Sequence, residues 1–189
     1  MLFIIIFVCI YIFIELKTKY SIIKPLKSLS SKGNLIICTH SYEHKDVFIM
    51  LQELQKSSKK YVMLFADKIW NHLLEPLRPN NVEFLFIKGN TVNTISSKLL
   101  LGCNIVMFLY LLNIPSTGPY YILQNTNCDV NLVKIKSKTE PSNHLNSSII
   151  NIMINNMFST FNIEYIKIKY SLNNNPKYFM NQLINTLYN

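Results

Sequence analysis

The sequence predicts an α/β fold with a mixed central sheet flanked by helices, and two observations lead to this fold class. Short apolar runs rich in isoleucine, valine and phenylalanine alternate along the chain with segments whose apolar residues recur at helical spacing. The chain has 189 residues, of which 49% are hydrophobic and only 15% are charged. Because a chain of this length can bury one core of ordinary size, we expect a single layered domain.

The predicted strands are short apolar runs between turn-forming or polar residues. They cover residues 34–39, 61–65, 82–87, 105–112, 130–136 and 163–170. The predicted helices cover residues 46–57, 68–77, 91–101, 119–125, 149–161 and 176–187. Residues 99–114 are apolar enough to suggest a second membrane span, but Gly102 and Asn104 interrupt this stretch, so we interpret its run 105–112 as a buried central strand. Gly102 is also the predicted C-cap of the helix before it.

The first 14 residues are wholly apolar or aromatic, and lysines follow them at Lys17, Lys19, Lys24 and Lys27. This pattern predicts a membrane anchor with a basic flank over residues 1–27, followed by one domain over residues 28–189. Since positive flanks stay inside, the body is expected on the cytosolic side of the membrane. A buried first helix is one alternative. A secretory signal is the other, but the basic n-region and the small-residue cleavage site of such a signal are not seen around the apolar run.

The net charge is +9, from 19 basic and 10 acidic residues, and Arg78 is the only arginine. Nucleic-acid-binding proteins usually present a basic stripe rich in arginine, whereas the lysines here are dispersed. We therefore expect membrane lipids as partners and no nucleic acid. The four cysteines lack the close spacing of a metal knuckle and are expected to be reduced, buried thiols.

Four chemically active residues crowd together directly after the first predicted strand of the domain. They are His40, Glu43, His44 and Asp46. Ligands bind at the carboxyl ends of strands in open α/β sheets, and a histidine beside an aspartate can act as a general base. Two other interpretations stay open. The histidines can be solvated loop residues, or His40 and His44 can hold zinc in a hydrolase through an H-x-x-E-H pattern, although no helical run precedes the first of them.

The order of elements from Leu35 to Lys138 carries a family resemblance. A strand runs into His40, Asp46 and a helix; a strand, a short helix and an apolar strand then lead to Lys88; and a further strand leads to the turn Ser116-Thr117-Gly118. In this order of elements the chain resembles the glycerolphosphate and lysophospholipid acyltransferase family. The resemblance implies a membrane-associated enzyme that moves a fatty acyl group from an acyl-thioester to a hydroxyl of glycerol phosphate or a lysophospholipid.

The resemblance also implies roles for particular residues. His40 and Asp46 would be the catalytic pair, and Lys88 would bind the acceptor phosphate. The region that contacts the acceptor or the oxyanion would contain Thr39, Ser116, Thr117 and Gly118. No bound cofactor is implied, and acyl-CoA or an acyl-carrier protein would be the donor.

The chain departs from the family pattern at three points. Lys88 stands where the family has arginine, the glutamate of the third family motif is missing, and Asp46 is six positions after His40, one more than in the family. A catalytically degenerate member that binds lipid or serves as an interaction surface is therefore the alternative function.

Overall fold

The computed structural model describes residues 19–24, 33–39, 44–65, 74–87, 91–109, 117–138, 160–172 and 175–188. The strands are β1 (Lys19–Lys24), β2 (Asn34–Thr39), β3 (Tyr61–Phe65), β4 (Val82–Phe86), β5 (Asn104–Leu109), β6 (Asp129–Ser137) and β7 (Thr160–Ile168). The α-helices are α1 (His44–Gln55), α2 (Thr91–Leu100), α3 (Gly118–Thr126) and α4 (Pro176–Tyr188), and a 3₁₀ turn covers Glu75–Leu77.

The strands form one seven-stranded sheet in the order β1-β7-β6-β2-β5-β3-β4. Strands β2 to β6 are parallel to one another, β7 is antiparallel to β6, and β1 is parallel to β7. The prediction of a mixed α/β sheet flanked by helices is therefore confirmed. The run interpreted as a central strand is β5, which lies between β2 and β3.

Alternate residues of each strand point to opposite faces of the sheet, and each face carries its own core. Leu35 and Ile37 of β2 pack with α2, α3 and α4, and we call this side the α4 face. Ile36 and Cys38 pack with α1 and with Leu74, and we call this side the α1 face. Helices thus cover both faces, which explains why the central strands read as continuous apolar runs.

Local signals in the sequence account for the helix ends near the sheet. Asp46 lies in the first turn of α1, where a carboxylate interacts favourably with the helix dipole. Gly102 has a φ of 85°, as the C-cap prediction requires, and its amide donates to the Leu99 carbonyl at 2.9 Å. Asn127 ends α3 in the left-handed region with a φ of 48°. These ends fix where the following strands β5 and β6 begin.

The apolar residues 1–14 of the predicted anchor lie outside the described residues, as do residues 15–18 and 25–27 of its basic flank. Within the ranges that the structure describes, no helix combines the length and the apolar character needed to cross a bilayer. Residues 19–24, assigned above to the basic flank of the anchor, instead form the edge strand β1, which pairs with β7. The sheet therefore begins earlier in the chain than residue 28.

Candidate functional site

The connections that leave β2 and β5 separate to opposite faces of the sheet. After β2 the chain passes to α1 on the α1 face, and after β5 it passes to α3 on the α4 face. The two strands are neighbours, and their last residues, Thr39 and Leu109, pair in register. Neighbouring strands whose connections part in this way leave a crevice at their carboxyl ends, where ligands bind in doubly wound folds. The candidate site is this carboxyl edge.

Asp46 is a fully buried carboxylate at this edge, with a relative exposure of 0%. It follows the end of β2 by seven positions and lies in the first turn of α1. A carboxylate is expensive to bury, and proteins retain one in such a place when hydrogen bonds or charges compensate it. Its position satisfies one requirement of the predicted catalytic pair, because a carboxylate that orients a histidine is held rigidly and away from solvent.

Cys38 lies on the same face as Asp46 and is fully buried. Burial raises the pKa of the Cys38 thiol well above its ordinary value, and the negative charge of Asp46 raises it further. The thiolate is the nucleophilic form of cysteine, so Cys38 stays protonated and unreactive near neutral pH. The described cysteines Cys38, Cys103 and Cys128 are free thiols, and two of them are buried. This agrees with the prediction that they are reduced.

Lys45 precedes Asp46 and is also buried, with 7% of its surface exposed. Its ammonium nitrogen lies 5.5 Å from the centroid of the Phe161 ring on β7. A cation over an aromatic face gains about 0.5–2 kcal/mol, depending on its desolvation. The first turn of α1 thus presents two buried groups of opposite charge at the edge of the sheet.

Thr39 ends β2 with 3% of its surface exposed, and its hydroxyl accepts a hydrogen bond from the Ile135 amide at 3.1 Å. This bond links β2 to β6 just beyond the pair Cys38–Val133, so Thr39 lies level with Lys134. Both residues belong to the alternating set that points to the α4 face, together with Ile37 and Leu132. Thr39 and Lys134 are therefore neighbours in the last buried row of that face.

Helix α3 begins after β5 at the same edge. Thr117 occupies its N-cap position without a side-chain hydrogen bond to the helix, and Gly118 is the first helical residue. Tyr188, near the end of α4, donates a hydrogen bond to the Leu109 carbonyl at 2.6 Å, so α4 reaches the same edge of the sheet. The α4 face of the crevice is consequently bounded by two helix ends.

Four of the predicted site residues lie within the described ranges. Thr39, Asp46, Thr117 and Gly118 all lie at the carboxyl edge. His40, Lys88 and Ser116 lie outside the described residues, as does the side chain of His44, so the pairing of His40 with Asp46 stays a prediction. Among the residues that are described, no group of three or more histidine, cysteine or acidic side chains could hold a metal ion.

Sequence reasoning missed Lys134, a buried charged residue that shares this edge. Only 8% of its surface is exposed, although the alternating sequence of β6 predicts that its lysines face solvent. The sequence did contain a signal, because the residues on one face of β6 change from apolar, at Val130 and Leu132, to basic, at Lys134 and Lys136. A strand between two others that turns basic at its carboxyl end brings positive charge to the binding edge of the sheet.

Comparisons with known proteins give no family for this chain. Neither the protein-family models nor the curated proteins contain a match to it. What the carboxyl edge does chemically is therefore inferred from its own residues.

Proposed function

We propose that the protein is a membrane-associated acyltransferase that moves a fatty acyl group from an acyl-thioester to a hydroxyl of glycerol phosphate or a lysophospholipid. One observation carries this proposal: a fully buried carboxylate, Asp46, lies in the first helical turn after the strand that leads to His40, beside the crevice between β2 and β5. A buried aspartate next to a histidine is the arrangement that holds an imidazole ready to accept a proton.

The proposed reaction has two proton transfers around one acyl transfer. The His40 imidazole takes the proton of the acceptor hydroxyl while the alkoxide oxygen attacks the thioester carbonyl carbon. The tetrahedral intermediate collapses, the carbon–sulfur bond breaks, and the leaving thiolate takes the proton back from the imidazolium. The products are an ester and a free thiol. Asp46 is a positioning residue, which selects the tautomer of His40 and stabilises its charged form.

The surroundings of Asp46 support a mechanism in which the histidine acts directly on the acceptor. The Asp46 charge and burial raise the pKa of the Cys38 thiol, which keeps it protonated. A covalent acyl-cysteine intermediate would need a thiolate at this position. A ternary reaction of donor and acceptor at the crevice is consistent with the protonated thiol.

The lipid substrates of this proposal fit the apolar residues 1–14 and the net charge of +9. Acyl chains and lysophospholipids partition into bilayers, so an anchored enzyme meets both at high local concentration. Lysines near the membrane attract its anionic surface. We include the anchor, the cytosolic orientation of the body and Lys88 as the contact to the acceptor phosphate in the proposal.

An acyl-transfer assay with matched variants tests the proposed function. The full-length protein in detergent is given a long-chain acyl-CoA and either glycerol 3-phosphate or lysophosphatidate. His40→Ala should abolish transfer, and Asp46→Asn should reduce kcat by about 10²–10⁴ because the imidazole loses its orienting carboxylate. Asp129→Asn is the control, since it removes one carboxylate from an exposed ion pair with Lys167 at the opposite edge of the sheet.

A readout beyond rate separates positioning from a merely structural role of Asp46. If Asp46 acts through His40, the acidic limb of the pH–rate profile moves in Asp46→Asn, whereas loss of folded protein lowers the whole profile without moving it. Wild-type protein that transfers no acyl group from acyl-CoA or acyl-carrier protein to either acceptor would contradict the enzyme proposal. Retained binding to phospholipid vesicles would then favour the degenerate, lipid-binding alternative.

A further inference from the structure

We propose that Thr39 and Lys134 form a binding site for a phosphate group on the α4 face of the carboxyl edge. The site is distinct from the position of Lys88, and the proposal does not depend on acyl transfer. It predicts that the substrate or ligand of this crevice carries a phosphate.

The two residues occupy one row across adjacent parallel strands. Cys38 pairs with Val133, and the Thr39 hydroxyl accepts from the Ile135 amide, so Lys134 lies beside Thr39. The alternation of the strands places both side chains on the α4 face, above the apolar residues Ile37 and Leu132. A ligand that enters the crevice would contact these two polar residues before it reached the apolar part of the sheet.

Most of the Lys134 side chain is buried, while its ammonium nitrogen keeps some access to solvent. No described residue forms a hydrogen bond or an ion pair with that ammonium group. Lysines in such places pack their carbon stem against the protein and keep the charged nitrogen at the surface. A cation held at the binding edge without a partner among the described residues can pair with an anionic ligand.

The neighbouring carboxylate does not neutralise this row. Glu164 on β7 pairs in register with Lys134, and on its other side it pairs in register with Lys24 of β1. Lys136 lies on the same alternating face of β6 as Lys134, so this face carries two lysines of β6 beside the one glutamate of β7. Lys136 and the following Lys138, just after the end of β6, are both exposed. The positive potential therefore extends from solvent to Lys134, which favours the approach of an anion.

Thr39 supplies a second donor beside the ammonium group. Its oxygen already accepts the Ile135 amide, and a hydroxyl that accepts one bond keeps its own proton to donate. A phosphate can accept from both the hydroxyl and the ammonium group through separate oxygens, and a charge-assisted bond to lysine is the stronger of the two. The pair thus matches an oxyanion with several acceptor oxygens.

The test measures phosphate binding with the full-length protein in detergent, by calorimetry and by thermal unfolding. The soluble probes are inorganic phosphate and glycerol 3-phosphate, and the lipid probe is vesicles of phosphatidate in phosphatidylcholine. Lys134→Met should weaken binding of the preferred probe at least tenfold, and Lys134→Arg should retain most of it. Lys177→Met, which removes an exposed lysine at the start of α4, is the charge-matched control and should bind as wild type does.

A stability readout separates a ligand site from a structural lysine. Because the Lys134 ammonium group has no partner among the described residues to lose, Lys134→Met without ligand should unfold at about the same temperature as wild type, while losing the phosphate-dependent rise in Tm. Preference for glycerol 3-phosphate would identify a soluble ligand, and preference for the vesicles a lipid headgroup.

Two results would overturn the phosphate site. One is phosphate binding by Lys134→Met that equals wild type, and the other is wild-type protein that binds none of the probes. Phosphate binding that depends on Lys134 in a protein without acyl transfer would refute only the proposed enzymatic function. Acyl transfer with normal phosphate affinity in Lys134→Met would refute only the site proposed here.

Discussion

The edge of the sheet where the parallel strands begin, which we call the amino edge, differs from the carboxyl edge in how its polar side chains are paired. At the amino edge, the Asn104 side-chain oxygen accepts from the Asn34 amide nitrogens at 3.2 Å and 2.9 Å, and its own amide donates to the Lys60 carbonyl at 3.2 Å. The Asn81 side chain donates to three backbone carbonyls, those of Leu54, Ser57 and Lys59. At the carboxyl edge, the buried polar residues are Thr39, Lys45, Asp46 and Lys134.

The comparison indicates that the polar residues of the amino edge stabilise the fold, whereas those of the carboxyl edge are available for chemistry. Neutral amides at the amino edge satisfy backbone groups of neighbouring strands and turns, which stabilises the strand starts. The carboxyl edge holds charged side chains of both signs, and Lys134 lies there without a partner among the described residues. A fold retains such charges where function requires them. Variants at the two edges should therefore affect different properties.

The largest effect on stability is expected at the amino edge, from Gly33→Ala. A Cβ at this position would lie 2.3 Å from the Cys103 carbonyl oxygen and 2.5 Å from that of Leu99, so the backbone of the α2–β5 turn would have to move. Overpacking of this kind costs about 1–3 kcal/mol or more. Chemical denaturation should show a lower free energy of unfolding, with unchanged acyl transfer per folded molecule. Asn93→Ala, at an exposed site of α2, is the control.

Two results would contradict this division between the edges. If Gly33→Ala leaves stability unchanged and abolishes transfer, the amino edge is functional and the division between the edges is wrong. If Asp46→Asn lowers stability and leaves transfer intact, the carboxyl edge is structural.

Much of the fold could be predicted from the sequence because local signals and burial agree. The strands β2 and β3 were predicted with the observed bounds, since isoleucine, valine and phenylalanine runs between turn residues admit few other structures. Strand β1 was missed for a physical reason. Its residues, KYSIIK, follow an apolar segment and carry lysines, and they become a strand only through pairing with β7, about 140 positions later.

The site could be predicted only in part. Asp46 was found because a strand, a polar cluster and a helix start coincide in the sequence, which marks a carboxyl edge. Lys134 could not be found in this way, because its burial depends on β6 lying between β2 and β7 and on the helices that cover the α4 face. The change from apolar residues to lysines along β6 is visible in the sequence, but the burial of Lys134 depends on long-range packing that this local pattern does not reveal.

A smaller effect is expected in alkaline solution, where buried acids make stability depend on pH. Burial raises the pKa of Cys38 and Tyr165, and it raises the pKa of Tyr170 to about 12. These groups hold their protons more tightly in the folded chain than in the unfolded one, so their contribution is complete at neutral pH. Stability should fall as pH rises above about 8.5 for the thiol and above about 10 for the tyrosines, by up to about 1.4 kcal/mol per pH unit for each group.

Denaturant unfolding between pH 7 and pH 10 checks this dependence, and Cys38→Ala isolates the thiol. The variant should lose stability less steeply with rising pH than wild type, because one of the acids whose pKa is raised by burial is gone. Equal slopes would show that the Cys38 thiol titrates in the folded chain as it does in the unfolded one, contrary to its burial on the α1 face.

The contact between Asp46 and His40 is the central claim, and a proton NMR titration tests it most directly. The chain has four histidines, so a comparison with His40→Gln assigns the ring signal of His40. If the carboxylate lies beside the imidazole, the titration midpoint of His40 falls in Asp46→Asn, because the charged form of the ring loses its stabilising neighbour. An unchanged midpoint for His40, in a variant that is folded, would contradict the pairing and with it the proposed mechanism.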